Sequence, residues 1–150
     1  MKDRKVDDYL SFREANHPRL VSGIDYVHAI HTTENLPADF AVWVARMYWP
    51  EFTLVDGMVY VSELHFERYE QDFLNSTISA SNSQFWINLL EITGMFDNLS
   101  FDGAMEVASI MASTWNAKLT MEFGPSFALA RAFSDDETNE VFVTIGFPDI

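Results

Sequence analysis

The sequence predicts an α+β fold: an antiparallel sheet of about five strands, an early hairpin plus a C-terminal three-strand meander, packed against several α-helices. Three observations carry this. Apolar residues recur at helical spacing through much of residues 37–118, an Asp56-Gly57 pair separates two short apolar runs, and beyond residue 118 the apolar repeat shortens to two. The 150 residues match the usual size of one domain, so residues 1–150 are read as a single domain. With 48% apolar residues the chain can build a core, and its lack of cysteine excludes a disulfide framework, a thiol nucleophile and a thiolate metal site.

Residues 1–20 form a mixed-charge segment with helical character in pieces, since Val6, Tyr9, Leu10 and Phe12 give an amphipathic turn or two and Pro18 ends it. Ile24, Val27, His28, Ile30 and His31 suggest a second short helix. Pro37 suits a first helical turn, and Phe40, Trp43, Val44 and Met47 then mark one buried face before Pro50 stops the helix. Residues 52–61 read as a hairpin, because Asp-Gly favours the two-residue type I′ turn in which both central residues take positive φ. That turn sets Val55 opposite Met58, Leu54 opposite Val59 and Phe52 opposite Val61. Phe52, Leu54, Val59 and Val61 then share one face, and Thr53 and Tyr60 share the other.

Phe66, Tyr69 and Phe73 mark another short helix, and residues 75–83 (NSTISASNS) read as an exposed polar loop. Ser81 and Gln84 have the spacing of a capping box. The helix they start carries Phe85, Leu89 and Ile92 on one line and Trp86 and Leu90 on another, ending near Gly94. The longest helix runs from Asp102 to about Lys118, with Met105, Ala108, Ala112, Trp115 and Leu119 as its stripe. Trp43, Trp86 and Trp115 are expected in the core. Leu119, Met121 and Phe123 begin the period-two region, followed by Phe127, Leu129, Arg131 and Phe133 alternating with three alanines, and by Val141, Val143, Ile145 and Phe147. Either the alanine side of the middle strand is buried under a close helix, or Arg131 is paired in a partly covered spot. Helices are expected mainly on one face of this sheet.

The charge narrows the function. The chain carries −14 at neutral pH, and its distribution is uneven: residues 1–20 hold five of the nine basic residues against four acids, leaving four cations and nineteen acids in residues 21–150. A body at −15 repels nucleic-acid phosphates and anionic membranes and attracts basic partners. No apolar run follows the charged start, and the apolar stretch at residues 40–45 is too short to cross a bilayer, so a cytoplasmic protein is expected.

Motif chemistry is sparse. The chain lacks GxSxG, GxGxxG and GxxxxGK[ST], which removes the sequence basis for a nucleophile elbow or a phosphate cradle, and no cofactor is expected. His28, His31 and Glu34 stand at i, i+3 and i+6, a spacing that puts imidazoles and a carboxylate on one helix side, as zinc or iron(II) would need. Glu14 and His17 give half of a di-metal pattern with no second copy. The run Asp135-Asp136-Glu137-Thr138-Asn139-Glu140 lacks the glycine and register of a calcium loop and reads as a solvated hairpin tip. Tyr48-Trp49-Pro50-Glu51-Phe52 places adjacent aromatics at a helix end, where they cannot all point inward.

Together these predict a non-enzymatic acidic protein that masks a basic protein partner, such as a nuclease-like toxin or another nucleic-acid-handling protein, in the manner of small acidic inhibitors and immunity proteins. Tyr48, Trp49, Glu51 and Asp56 would supply an aromatic anchor with carboxylates, and Asp135, Asp136, Glu137 and Glu140 a second acidic edge. Two alternatives remain: a small metal-dependent or general acid–base enzyme using His28, His31 and Glu34, and a structural or adaptor subunit using its aromatics.

Overall fold

The computed structural model describes residues 8–65 and 79–148. The expected helix at Phe66, Tyr69 and Phe73, and residues 75–78 of the polar stretch at 75–83, lie outside the described residues; the rest of that stretch is corrected, since Ser79 caps a helix and residues 80–83 are its first turn, not an exposed loop. The chain divides into two compact units, Met1–Ala41 and Val42–Ile150.

The smaller unit is a pair of helices, α1 (Tyr9–Asn16) and α2 (Gly23–Thr33). Asp8 caps α1 by accepting from the Ser11 amide, and Ser22 with Asp25 forms a capping box on α2. Tyr26 of α2 packs between Tyr9 and Phe12 of α1, with ring centroids 5.8 and 5.4 Å away. No described residue of either helix is fully buried, and Leu20, Ile24 and Val27 stand almost free in solvent.

The larger unit is α+β. Helix α3 (Phe40–Tyr48) leads into the hairpin of β1 (Phe52–Val55) and β2 (Met58–Val61), whose register matches the sequence expectation residue for residue. Asp56 and Gly57 take φ of 50° and 77°, the paired positive values of a type I′ turn. After the undescribed residues come α4 (Ala80–Ile87), β3 (Leu90–Glu91), the short α5 (Ile92–Met95), the 23-residue α6 (Phe101–Phe123), β4 (Ala130–Asp135) and β5 (Glu140–Ile145).

Among the described residues there are five strands, but they form two sheets: the β1-β2 pair and a three-stranded sheet in the order β3-β5-β4. The expected meander is therefore corrected at its first strand. Residues 119–123 are the last turns of α6, and the third strand of that sheet is the two-residue β3, where Leu90 pairs with Val143. Leu119 and Phe123 are spaced i, i+4 as well as by period two, and continuing an existing helix adds one hydrogen bond per residue without a new nucleus. Gly124, at φ 101°, ends α6. The predicted helix through residues 81–94 is also interrupted, since α4 closes at Ile87 and the chain turns into β3. Its cap is Ser79, which accepts from the Asn82 amide, and not Ser81.

One face of the larger sheet carries Ala130, Ala132, Val141, Val143 and Ile145, and α6 lies on it through Ala104, Ala108, Met111, Ala112, Trp115 and Leu119. Alanines on both elements permit the close approach, so the alanine side of β4 is the one under the long helix. The opposite face carries Phe133 and Phe142, stacked at 5.2 Å, and meets Phe85 of α4, with Phe85 and Phe133 centroids 5.9 Å apart. Helices therefore cover both faces, where the sequence suggested mainly one. Arg131 also lies on this second face, its guanidinium 4.4–5.6 Å from the rings of Phe85, Phe133 and Phe147, while its Nε donates to the Gly146 carbonyl. Both expected explanations of Arg131 thus hold together.

Side-chain amides finish the strand edges. In a two-residue hairpin Val59 and Val61 direct their backbone groups away from β1. The Val59 amide donates to Gln84 Oε1 at 2.9 Å, the Val61 amide donates to Asn88 Oδ1 at 2.8 Å, and Asn88 Nδ2 donates to the Val59 carbonyl at 3.0 Å. At β4, Asn116 of α6 both accepts from the Ala130 amide and donates to its carbonyl.

Candidate interaction cleft

The region predicted from Tyr48-Trp49-Pro50-Glu51 lies beside an open cleft in the larger unit. Trp115, 1% exposed, reaches from α6 and donates through Nε1 to the Met47 carbonyl at 2.7 Å. One helical turn later, Lys118 Nζ donates to the Pro50 carbonyl at 2.5 Å. The end of α3 and the bend after it have carbonyls without helical partners, and these two side chains supply the donors. This pins the segment that carries Tyr48 and Trp49. The two aromatics part as the sequence required: Tyr48 is half-buried against the core, whereas Trp49 is 44% exposed. Burial raises the Tyr48 phenol above its ordinary pKa, because the ionised form is disfavoured away from water.

The cleft has a volume of about 200 Å³. Its floor is the buried pair Val61 and Trp115, its sides are the half-buried Leu64 and Leu90, and Trp43 and Met95 stand at its rim, each nearly half exposed. A second, more polar recess of about 360 Å³ adjoins it, sharing Arg46, Pro50 and Glu63 and adding Trp49, Glu51 and Lys118.

The charges here are unequal in availability. Lys118 is almost wholly buried, pairs with Glu122 at 3.5 Å and lies 5.7 Å from the Trp49 ring centroid. Arg46 lies over Trp43, 4.7 Å from its ring centroid. Glu51 and Glu63 are exposed and have no ion pair among the described residues. The linings combine an apolar cleft with two exposed carboxylates that have no ion pair among the described residues, an exposed arginine and a buried, paired lysine.

Of the expected contact residues, Tyr48, Trp49 and Glu51 lie together, and Trp49 and Glu51 line the polar recess. Asp56 is at the tip of the first hairpin. Asp135 is the last residue of β4 and Glu140 the first of β5, paired across the strands, while Asp136 and Glu137 lie in the connection between them; Asp135 Oδ1 accepts from the Glu137 and Thr138 amides and Asn139 takes φ of 57°. That carboxylate holds its own turn; Asp136, which accepts from the Ser134 hydroxyl, and Glu137 are exposed, and Glu140 is half-buried. His28 and His31 are on α2 and Glu34 is its C-cap residue, in the smaller unit. Among the described residues no group of three His, Asp or Glu side chains is close enough to hold a metal ion.

The sequence reading missed Arg46, Glu63, Leu64, Met95 and Lys118, and placed Trp43 and Trp86 in the core, although both are about half exposed. Lys118 carried a legible signal: it stands three residues after Trp115 on the apolar stripe of a long helix, a position a lysine occupies only when its ammonium has a partner. Trp43 was misread because α3 is apolar on more sides than one element can bury. Among the described residues no helix is long and apolar enough to cross a membrane. Comparison of the chain with protein-family models, with curated proteins and with solved structures finds no match to any of them.

Proposed function

We propose that this chain is an acidic binding protein that masks a basic protein partner, in the way an inhibitor or immunity protein covers the cationic cleft of a nuclease-like protein. The observation that carries the reading is the combination of charge and exposed aromatic surface: a −15 balance over residues 21–150, with half-exposed Trp49 beside the unpaired carboxylates of Glu51 and Glu63. Aromatic side chains contribute desolvated contact area at little entropic cost, and unpaired carboxylates at the edge of such an area steer cations onto it.

The test is kinetic. Basic proteins retained from source cells on the immobilised chain at low salt are purified individually, and their association rates are measured across a salt series. The rate should fall steeply with ionic strength, and Glu51→Lys with Glu63→Lys should lower it further, because the charges that steer encounter are screened or reversed. A rate that does not change with salt, or retention dominated by acidic proteins, refutes the reading.

A further inference from the structure

We infer that the cleft between α3 and β2 receives one large apolar side chain from a basic segment of the partner, with Glu51 and Glu63 meeting the lysines or arginines that flank it. This rests on the masking role proposed above and names the contact by which that role is performed.

Size is the first argument. Pockets for cofactors and drug-sized ligands occupy roughly 300–1,000 Å³. At about 200 Å³, this cleft is smaller than that range, and its scale is that of a single bulky side chain. The second argument is its lining. Val61 and Trp115 make an apolar floor held in place by the core and by the bond from Trp115 to Met47, so the floor is formed before anything arrives. Trp43 and Met95 at the rim are exposed and can lie along an entering side chain, and Met adapts to irregular shapes. Binding hot spots take this form, a buried anchor ringed by contacts that exclude water.

Charge is the third argument, and it selects the anchor's neighbours. Of the four charged side chains described at the two recesses, the cations are already engaged, Lys118 with Pro50 and Glu122 and Arg46 with the Trp43 ring. Lys118 is buried and Arg46, though exposed, lies on the Trp43 ring, whereas Glu51 and Glu63 are exposed carboxylates with no ion pair among the described residues, so the exposed charge here is one cation against two anions. A neutral apolar segment would leave them unanswered, and an acidic one would be repelled by them and by the whole body. A segment with cations on both sides of its anchor satisfies the site.

The experiment uses the full chain and a set of synthetic peptides in which two lysines flank a central Ala, Leu, Met, Phe or Trp on each side, with matched peptides carrying glutamine in place of lysine. Affinities are measured by titration calorimetry at low and high salt. The Leu, Met, Phe or Trp peptides should bind at least about tenfold more tightly than the Ala peptide, the order expected from burying one large apolar side chain. The glutamine peptides should lose most of the binding. Met95→Lys changes an exposed rim position and leaves the core alone; it should abolish the preference for an apolar centre while the chain stays folded by circular dichroism. Equal, salt-sensitive binding of the Ala and apolar peptides overturns the anchor inference and leaves the masking role standing. Apolar preference shared by lysine and glutamine peptides overturns the flanking-cation arrangement, and with it the basic-partner reading. No binding by any peptide overturns the anchor inference alone.

Discussion

Asn88 offers the most demanding test of how the larger unit is held together. It is fully buried, with 0% exposure, and joins the end of α4 to the outer edge of β2. Its Oδ1 accepts from the Val61 amide at 2.8 Å, and its Nδ2 donates to the Val59 carbonyl at 3.0 Å and to the Gln84 carbonyl at 2.8 Å. In Asn88→Ala the Gln84 carbonyl keeps the Asn88 backbone amide, but the Val61 amide and Val59 carbonyl lose their partner in a region closed to water. At about 1–3 kcal/mol for each of the two buried groups left unsatisfied, the substitution should cost about 2–6 kcal/mol. That is a large part of the roughly 5–15 kcal/mol typical of a domain, on the order of the protein's whole margin. Urea unfolding followed by tryptophan fluorescence measures it cleanly, because all four tryptophans lie in the unit Val42–Ile150. Asn98→Ala, at an exposed position, serves as the control and should stay within about 0.5 kcal/mol of the wild type. A loss for Asn88→Ala below about 1 kcal/mol would show that β2 does not depend on the amide.

Three further outcomes follow from other parts of the fold. Gly146→Ala should destabilise by about 1–3 kcal/mol in the same assay, because Gly146 sits at φ 87° and its added Cβ would come within 2.7 Å of Gln84 Nε2. Ala132→Leu should cost about 1–3 kcal/mol by overfilling the space between β4 and α6, whereas Leu at the exposed Ala117 of α6 should be nearly neutral. Alkaline stability depends on Tyr48: its folded pKa is raised, so the unfolded phenol ionises first, and stability present below pH about 10 is lost as pH climbs toward the higher folded value. Tyr48→Phe should flatten that alkaline decline in a pH series of urea midpoints, and an unchanged slope would rule Tyr48 out as its source.

Local chemistry made the hairpin legible, since Asp56-Gly57 fixes both turn and register without help from the rest of the chain. The long helix was legible from its stripe, but its end was not. Over five residues a period of two and a spacing of i, i+4 select the same Leu119 and Phe123, and only exposed Met121 shows which repeat the chain uses. The interruption after Ile87 was hidden for another reason. Gln84 and Asn88 satisfy a strand more than twenty residues away, so no window around them contains the cause. Of the cleft and its adjoining recess, only the recess was legible, at Trp49 and Glu51, where adjacent aromatics at a helix end could not share one direction. The floor of the cleft depends on Trp115 and Val61 meeting across the fold, and the balance of exposed charge depends on which cation is buried.

The three amides that close β2 and β4 also govern what this molecule can become when crowded. A bare sheet margin is a template on which other extended chains, including copies of itself, can stack without limit. Here Gln84 and Asn88 fill the hydrogen-bonding row at Val59 and Val61, and Asn116 does the same at Ala130. Growth by backbone zippering is blocked at those rows. Copies of the chain brought together at high concentration meet filled hydrogen-bonding rows at these positions instead of a template for fibres.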